Sequence, residues 1–340
     1  MLDESIILTL VMGFGVTAFV TPYLKKFLEA IGLVAMDVQK KGRPKMASSG
    51  GIPVVIGLLS AIMTYVFITT FITKANTNLT LLFASITSVL IVTILTLLDD
   101  INIRTERKTS KGEKDTRIGL KQWQKVLISI LASIPLMALQ AGHSQITIPF
   151  FGAINLGLLY PLIMIPLIII FSSNATNMLA GMNGLEAGLG LILLTGTGLY
   201  SLFYGTIEGA IIALSTATCL GAFLIYNKYP ARFLPGDTLP YLIGITFGAS
   251  IIIGNIEKFA AIAFIPWFIE FFLKARRKFK ASSLGLLQKD GTLKPKYKSI
   301  YSLTHVGMRV VKKEEYITPF LMFIESLFCI AAFIIARITV

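Results

Sequence analysis

Two adjacent carboxylates, Asp99 and Asp100, end a long apolar run, T-I-L-T-L-L-D-D-I-N, and a second polar cluster follows in F-S-S-N-A-T-N-M-L-A-G-M-N-G-L-E-A-G. That stretch carries Asn174, Asn177, Asn183 and Glu186, and a third acid, Asp237, stands in R-F-L-P-G-D-T-L-P. Paired acids at a helix C-terminus oppose the macrodipole and, near lipid, need a cation or a proton. Asn174 and Asn177, three apart, share one helix face. Carboxylates and amides with no Cys/His cluster form an all-oxygen set that suits Mg2+ or Mn2+, which bind through one or two carboxylates plus substrate phosphates. Lys121, Lys125, Arg276, Arg277, Lys278 and Lys280 are cations able to meet those phosphates. His305, in S-L-T-H-V-G, is the one histidine placed with them.

The elements that must hold these groups are membrane helices. Of the 340 residues, 54% are apolar and 14% charged, and the charges gather in short stretches between apolar runs. A span needs about 20 apolar residues. Runs at 4–24, 50–73, 79–98, 122–141, 153–172, 184–204, 207–226, 237–254, 256–274 and 316–338 predict an all-α integral membrane protein of about ten helices. Pro149, Pro161, Pro166, Pro240 and Pro266 permit kinks or broken helices in the fifth, eighth and ninth. The first run follows Asp3 and Glu4 and is too long for a signal-peptide core, so it reads as a retained span.

Lysine and arginine concentrate in the odd-numbered connections, Lys25 to Lys45, Arg104 to Lys121, Lys228 to Arg232 and Arg276 to Lys313, which places those loops in the cytoplasm and both termini outside. Every acid and amide singled out above falls on that side, while His143 faces outward. The net charge of +13 is explained by cytoplasmic loops and anionic headgroups rather than by nucleic acid. Cys219 and Cys329 sit in apolar runs and read as buried thiols. The chain reads as a single polytopic domain over 1–340, with loop 274–315 part of the site and its Lys289–Gly291 turn suited to a hairpin.

Asp237 on its own would be an ordinary N-cap. In company with the others it resembles, through L-L-D-D-I-N, N-A-T-N-M-L-A-G-M-N-G-L-E-A-G and F-L-P-G-D-T in their order and spacing, the polyprenyl-phosphate N-acetylhexosamine-1-phosphate transferases of glycosyltransferase family 4 type. A-G-M-N-G-L-E-A-G is nearer the eukaryotic and archaeal dolichol branch than the bacterial peptidoglycan branch. The resemblance implies a cytoplasmic active site in the cell membrane that transfers a sugar phosphate, most readily N-acetylglucosamine 1-phosphate, from a UDP-N-acetylhexosamine to a polyprenyl or dolichyl phosphate. It further implies Mg2+ (or Mn2+) on Asn177 and Asp237, catalytic roles for Asp99, Asp100 and Lys125, and uracil contact by Asn183. Asn174, Glu186, Leu234, Arg276, Arg277, Lys278 and His305 would complete the substrate contacts. The partners are then the two substrates and the bilayer, with a homodimer allowed.

Two features depart from the family pattern, a basic stretch at 104–117 between the paired acids and Lys125, and A-R-R-K-F-K with a lone His305 in the last cytoplasmic loop. The rival expectation is an ion-coupled secondary transporter, whose acids and broken helices would meet near the bilayer midplane.

Overall fold

The computed structural model describes residues 4–101, 120–148 and 152–338. Asp3, Val340 and the basic stretch 104–117 lie outside them.

Helix forms along the long apolar runs because lipid leaves backbone groups no partner outside their own segment. The long single helices are α1 (Glu4–Ala30), α2 (Gly51–Phe67, continued by a π-helical turn to Ile72) and α3 (Leu79–Ile101). They are followed, in chain order, by α4 (Gln122–Ala138), α5 (Ile165–Met178), α6 (Leu185–Tyr204), α7 (Ile207–Asn227) and α8 (Thr238–Gly254). The last third holds α9 (Glu257–Ala263), α10 (Ile265–Ala275), α11 (Leu303–Val310) and α12 (Glu314–Ile338).

Among the described residues, seven helices are long and apolar enough to cross a membrane, counting α5 together with the π-helical turn that begins it at Tyr160. The expected count of about ten is thus not reached by length and composition alone. α4 and α8 have 17 residues each, and the expected span at 256–274 is two short helices. Pro266, at the start of α10, lacks the N–H that a continuous helix through Phe264 would use. The expected span at 153–172 also begins late, because β4 (Gly152–Asn155) returns antiparallel on β3 (Gln145–Ile148).

α8 is the central helix. Every residue from Thr238 to Gly254 is buried, as a helix apolar on all sides requires. It packs on α3, α5 and α7. Gly244 sets the approach to α5, since a Cβ there would lie 2.4 Å from Ser173 Cα.

The connections that the charge rule assigned to one side meet at one end of this bundle. After α1, β1 (Val34–Met36) pairs antiparallel with β2 (Lys45–Ala47). The strand end is sewn to the α7–α8 loop by Leu234 N–H donating to Ala47 O at 2.8 Å and Gly50 N–H donating to Leu234 O at 3.1 Å. Beyond α10, β5 (Gly285–Leu287) and β6 (Leu293–Pro295) form the hairpin expected around Lys289–Gly291. That hairpin and α11 fold back over the same end.

Candidate active site

Five connections, α1–α2, α3–α4, α5–α6, α7–α8 and the segment after α10, line a single cavity of about 830 Å³. Its wall includes Asp99, Asp100, Lys125, Asn174, Asn177, Asn183, Glu186, Leu234 and Asp237. Nine of the residues picked out by spacing thus converge, although they are spread over almost 140 positions of sequence.

The paired acids occupy the last turn of α3 and point to different partners. Asp99 Oδ2 lies 2.9 Å from Lys125 Nζ, and its Oδ1 accepts the Leu120 N–H at 2.5 Å. Lys125 also contacts Asp237 Oδ2, so its ammonium is shared by two carboxylates from α3 and α8. The Asp237 side chain makes no capping bond to α8, although its residue holds the N-cap position. Its carboxylate is committed to the cavity instead.

Asp100 plays a different part. It is buried, its Oδ1 accepts the Asp237 N–H at 2.8 Å, and its Oδ2 accepts from Ser49 Oγ at 2.8 Å and Thr238 N–H at 3.3 Å. A carboxylate therefore fixes the first turn of α8, where free N–H groups and the helix dipole favour negative charge. Gly236 makes room for it. Its φ is +64°, and a Cβ there would lie 2.4 Å from Asp100 Oδ2.

Asn174 and Asn177 leave α5 on the cavity side. Asn174 Nδ2 donates to Ile170 O at 2.8 Å and Ser129 Oγ at 3.3 Å, while its Oδ1 accepts from Tyr241 Oη at 3.1 Å. Asn183 is buried with both ends of its amide engaged, Nδ2 donating to Asp37 Oδ2 at 3.0 Å and Oδ1 accepting the Ala231 N–H at 2.9 Å. Glu186 accepts the Gly181 N–H at 2.9 Å through Oε1, and its buried Oε2 has no hydrogen-bond partner among the described residues.

Six candidates stand elsewhere, Lys121 and Lys280 among them. Arg276 and Arg277 are exposed, with the Arg277 guanidinium 4.6 Å from the Tyr297 ring centre and that of Arg276 5.5 Å from Tyr301. Neither they nor Lys278 line the cavity. His305 is fully buried in the loop: its Nδ1 accepts the Tyr301 N–H at 3.2 Å, which leaves Nε2 to donate to Ser282 O at 3.0 Å. It holds the turn that brings Ala281 and Ser283 to the cavity wall. Burial lowers its pKa below the usual histidine range, so the ring is neutral.

Sequence spacing passed over Asp37, Tyr241 and Lys274, all of which line the cavity. Asp37 carried a signal, being the sole acid between Ile31 and Gly50. Lys274, at the end of α10, is buried and donates to Ala281 O at 2.9 Å and Ser283 Oγ at 2.6 Å.

The donor set fits a hard divalent cation. Among the described residues no three His, Cys, Asp or Glu side chains group to hold a metal unaided. One carboxylate, Asp237, and one amide, Asn177, share the cavity wall, which matches a cation that completes its shell with phosphates and water. The Lys125 ammonium between Asp99 and Asp237 marks that pair as a place where positive charge is stabilised.

The model of glycosyl transferase family 4 matches residues 79–255, the part of the chain from α3 through α8. A Dictyostelium discoideum protein named UDP-N-acetylglucosamine--dolichyl-phosphate N-acetylglucosaminephosphotransferase is 25% identical over 289 residues, 74% of this chain and 66% of its own. A Saccharolobus solfataricus protein provisionally given the same name is 33% identical over 339 residues, 99% of this chain and 98% of its own. A phospho-N-acetylmuramoyl-pentapeptide-transferase of Halalkalibacterium halodurans is 25% identical over 305 residues, 84% of this chain and 89% of its own. With aspartates, asparagines and lysine from the matched segment meeting in one cavity, and with a relative alike from end to end, the chain belongs to glycosyl transferase family 4.

Proposed function

We propose that this membrane enzyme transfers N-acetylglucosamine 1-phosphate from its UDP ester to a dolichyl or related polyprenyl phosphate, at the cytoplasmic face of the cell membrane. The observation that carries the reading is Lys125 bridging Asp99 and Asp237 in a cavity at the ends of membrane helices. In the reaction, an oxygen of the lipid phosphate forms a bond to the sugar-linked phosphorus, the bond from that phosphorus to the bridging oxygen breaks, and UMP leaves with the electron pair. The acceptor is already anionic near neutral pH, so the protein's task is to align two anions and offset their repulsion.

The chain's own groups divide that task. Lys125 offers positive charge where the phosphates meet, and Asp99 holds it there. Asp100 fixes the start of α8 and through it the Asp237 carboxylate. Asp237 and Asn177 would hold Mg2+ or Mn2+, which supplies charge neutralisation for the pyrophosphate. A transporter would place its acids near the bilayer midplane, whereas Asp99, Asp100 and Asp237 stand at helix ends. The test is to incubate purified protein with labelled UDP-N-acetylglucosamine, dolichyl phosphate and Mg2+ and to separate lipid from nucleotide. Label in the lipid fraction, matched by UMP, is the expected result; label confined to the nucleotide fraction with every acceptor tried would sink the proposal.

A further inference from the structure

Glu314, the first residue of α12, lies outside the segment matched by the family and does not line the cavity, yet it is buried at its edge. Its Oε1 accepts the Asn183 backbone N–H at 3.0 Å, and its Oε2 accepts from Lys40 Nζ at 2.5 Å. Lys40 in turn stands 3.5 Å from Asp37 Oδ2 and 4.5 Å from the Tyr229 ring centre. Asp37 accepts from Asn183 Nδ2, and the Asn183 carbonyl accepts from Thr318 Oγ1 at 2.9 Å. Four segments distant in sequence are thus tied around one asparagine: the β1–β2 hairpin, the α5–α6 turn, the α7–α8 loop and the start of α12.

A carboxylate suits the first turn of α12, because the helix dipole favours negative charge there. Its second oxygen is then free to anchor a lysine from another segment. Buried charges of this kind are tolerated only when each finds its partner, so the arrangement has one low-energy geometry. That geometry sets the wall formed by Asp37, Gly181, Met182 and Asn183.

We infer that the Glu314–Lys40 pair is a positioning clamp which holds Asn183 and Asp37 in the geometry that binds the donor nucleotide sugar. The clamp acts on donor binding and leaves the transfer step to the Lys125 side of the cavity. This inference rests on the proposed transferase reaction. It assigns Glu314 and Lys40 a share in donor affinity, although neither need touch the donor.

The experiment compares wild type, Glu314→Gln, Lys40→Met and the double variant in detergent, measuring KM for UDP-N-acetylglucosamine, kcat, direct donor binding and thermal midpoint. Each single variant is expected to raise KM and Kd by on the order of tenfold to a hundredfold, as a small misplacement of a binding wall does, with kcat within about threefold. The double variant is expected to be no worse than the poorer single, since both remove one interaction. If Glu314→Gln fails to fold, Lys40→Met decides by the same measurements. Unchanged KM in the folded variants, or a fall in kcat at constant KM, overturns the clamp while leaving the reaction standing. Wild-type protein that neither binds nor consumes the donor overturns the reaction itself, and the clamp's role with it.

Discussion

Lys125 Nζ lies 2.9 Å from Asp99 Oδ2 and also meets the Asp237 carboxylate, so one ammonium joins the end of α3 to the start of α8. Both carboxylates are drawn to a cation, and in the proposed reaction that cation meets the two anionic substrates. Replacing Lys125 by Met is expected to lower kcat by roughly 10² to 10³, the effect of removing a preorganised charge from a transition state. Donor binding should persist. Steady-state kinetics beside a direct binding measurement distinguishes this from collapse of the cavity.

Asp100 holds three donors, the backbone N–H of Asp237 among them. Asp100→Asn is expected to cut transfer by orders of magnitude, because an amide cannot accept at both positions and the first turn of α8 loses its anchor. Gly236→Ala tests the same relationship from the other side, since its Cβ would intrude on Asp100 Oδ2. It should mimic the defect without changing any chemical group. A fully active Gly236→Ala enzyme would show that this packing is not needed.

Metal dependence follows from the proposed donor set. Chelation is expected to abolish transfer, and titration with Mg2+ or Mn2+ to restore it, while Asp237→Ala and Asn177→Ala remain inactive but folded. Retention of full activity in excess chelator would remove the metal from the scheme.

His305 gives a prediction in pH. Burial lowers its folded pKa below the ordinary value of about 6.5, so between those two values the unfolded chain binds more protons than the folded one. Its contribution to stability is present above pH of about 6.5 and is lost as pH falls toward the folded value. Thermal midpoints in detergent should therefore decline on acidification below that point. His305→Gln, which cannot titrate, should have a flatter profile and a lower midpoint at neutral pH.

Topology is tested independently of the chemistry. Cysteines introduced at Lys41 and Lys289, both exposed, should label from the cytoplasmic side, and one at His143 from the other. Labelling of Lys41 and His143 from the same side would contradict the arrangement.

Much of this protein was legible in its sequence, because lipid imposes a strict rule: charge is excluded from spans, so apolar runs become helices and what polar chemistry exists is pushed to their ends. Asp99, Asp100, Asn177 and Asp237 could be picked out for that reason, and the lysine bias placed their loops on one side. Periodicity could not distinguish a span from a buried broken segment: Pro266 permitted a break in the ninth run, and only the structure divides it into α9 and α10. Nor could it separate a cation that lines the site from one that stacks beside it. Arg276 and Arg277 lie two and three residues after Lys274, and their stacking on Tyr297 and Tyr301 depends on how the loop returns over the bundle. The roles of Asp37, Glu314 and His305 were likewise decided by tertiary structure alone, since each acts through hydrogen bonds to residues far away or to a loop whose path no local pattern specifies. Local physics settles which residues cannot rest in lipid; which of them touch is settled by packing.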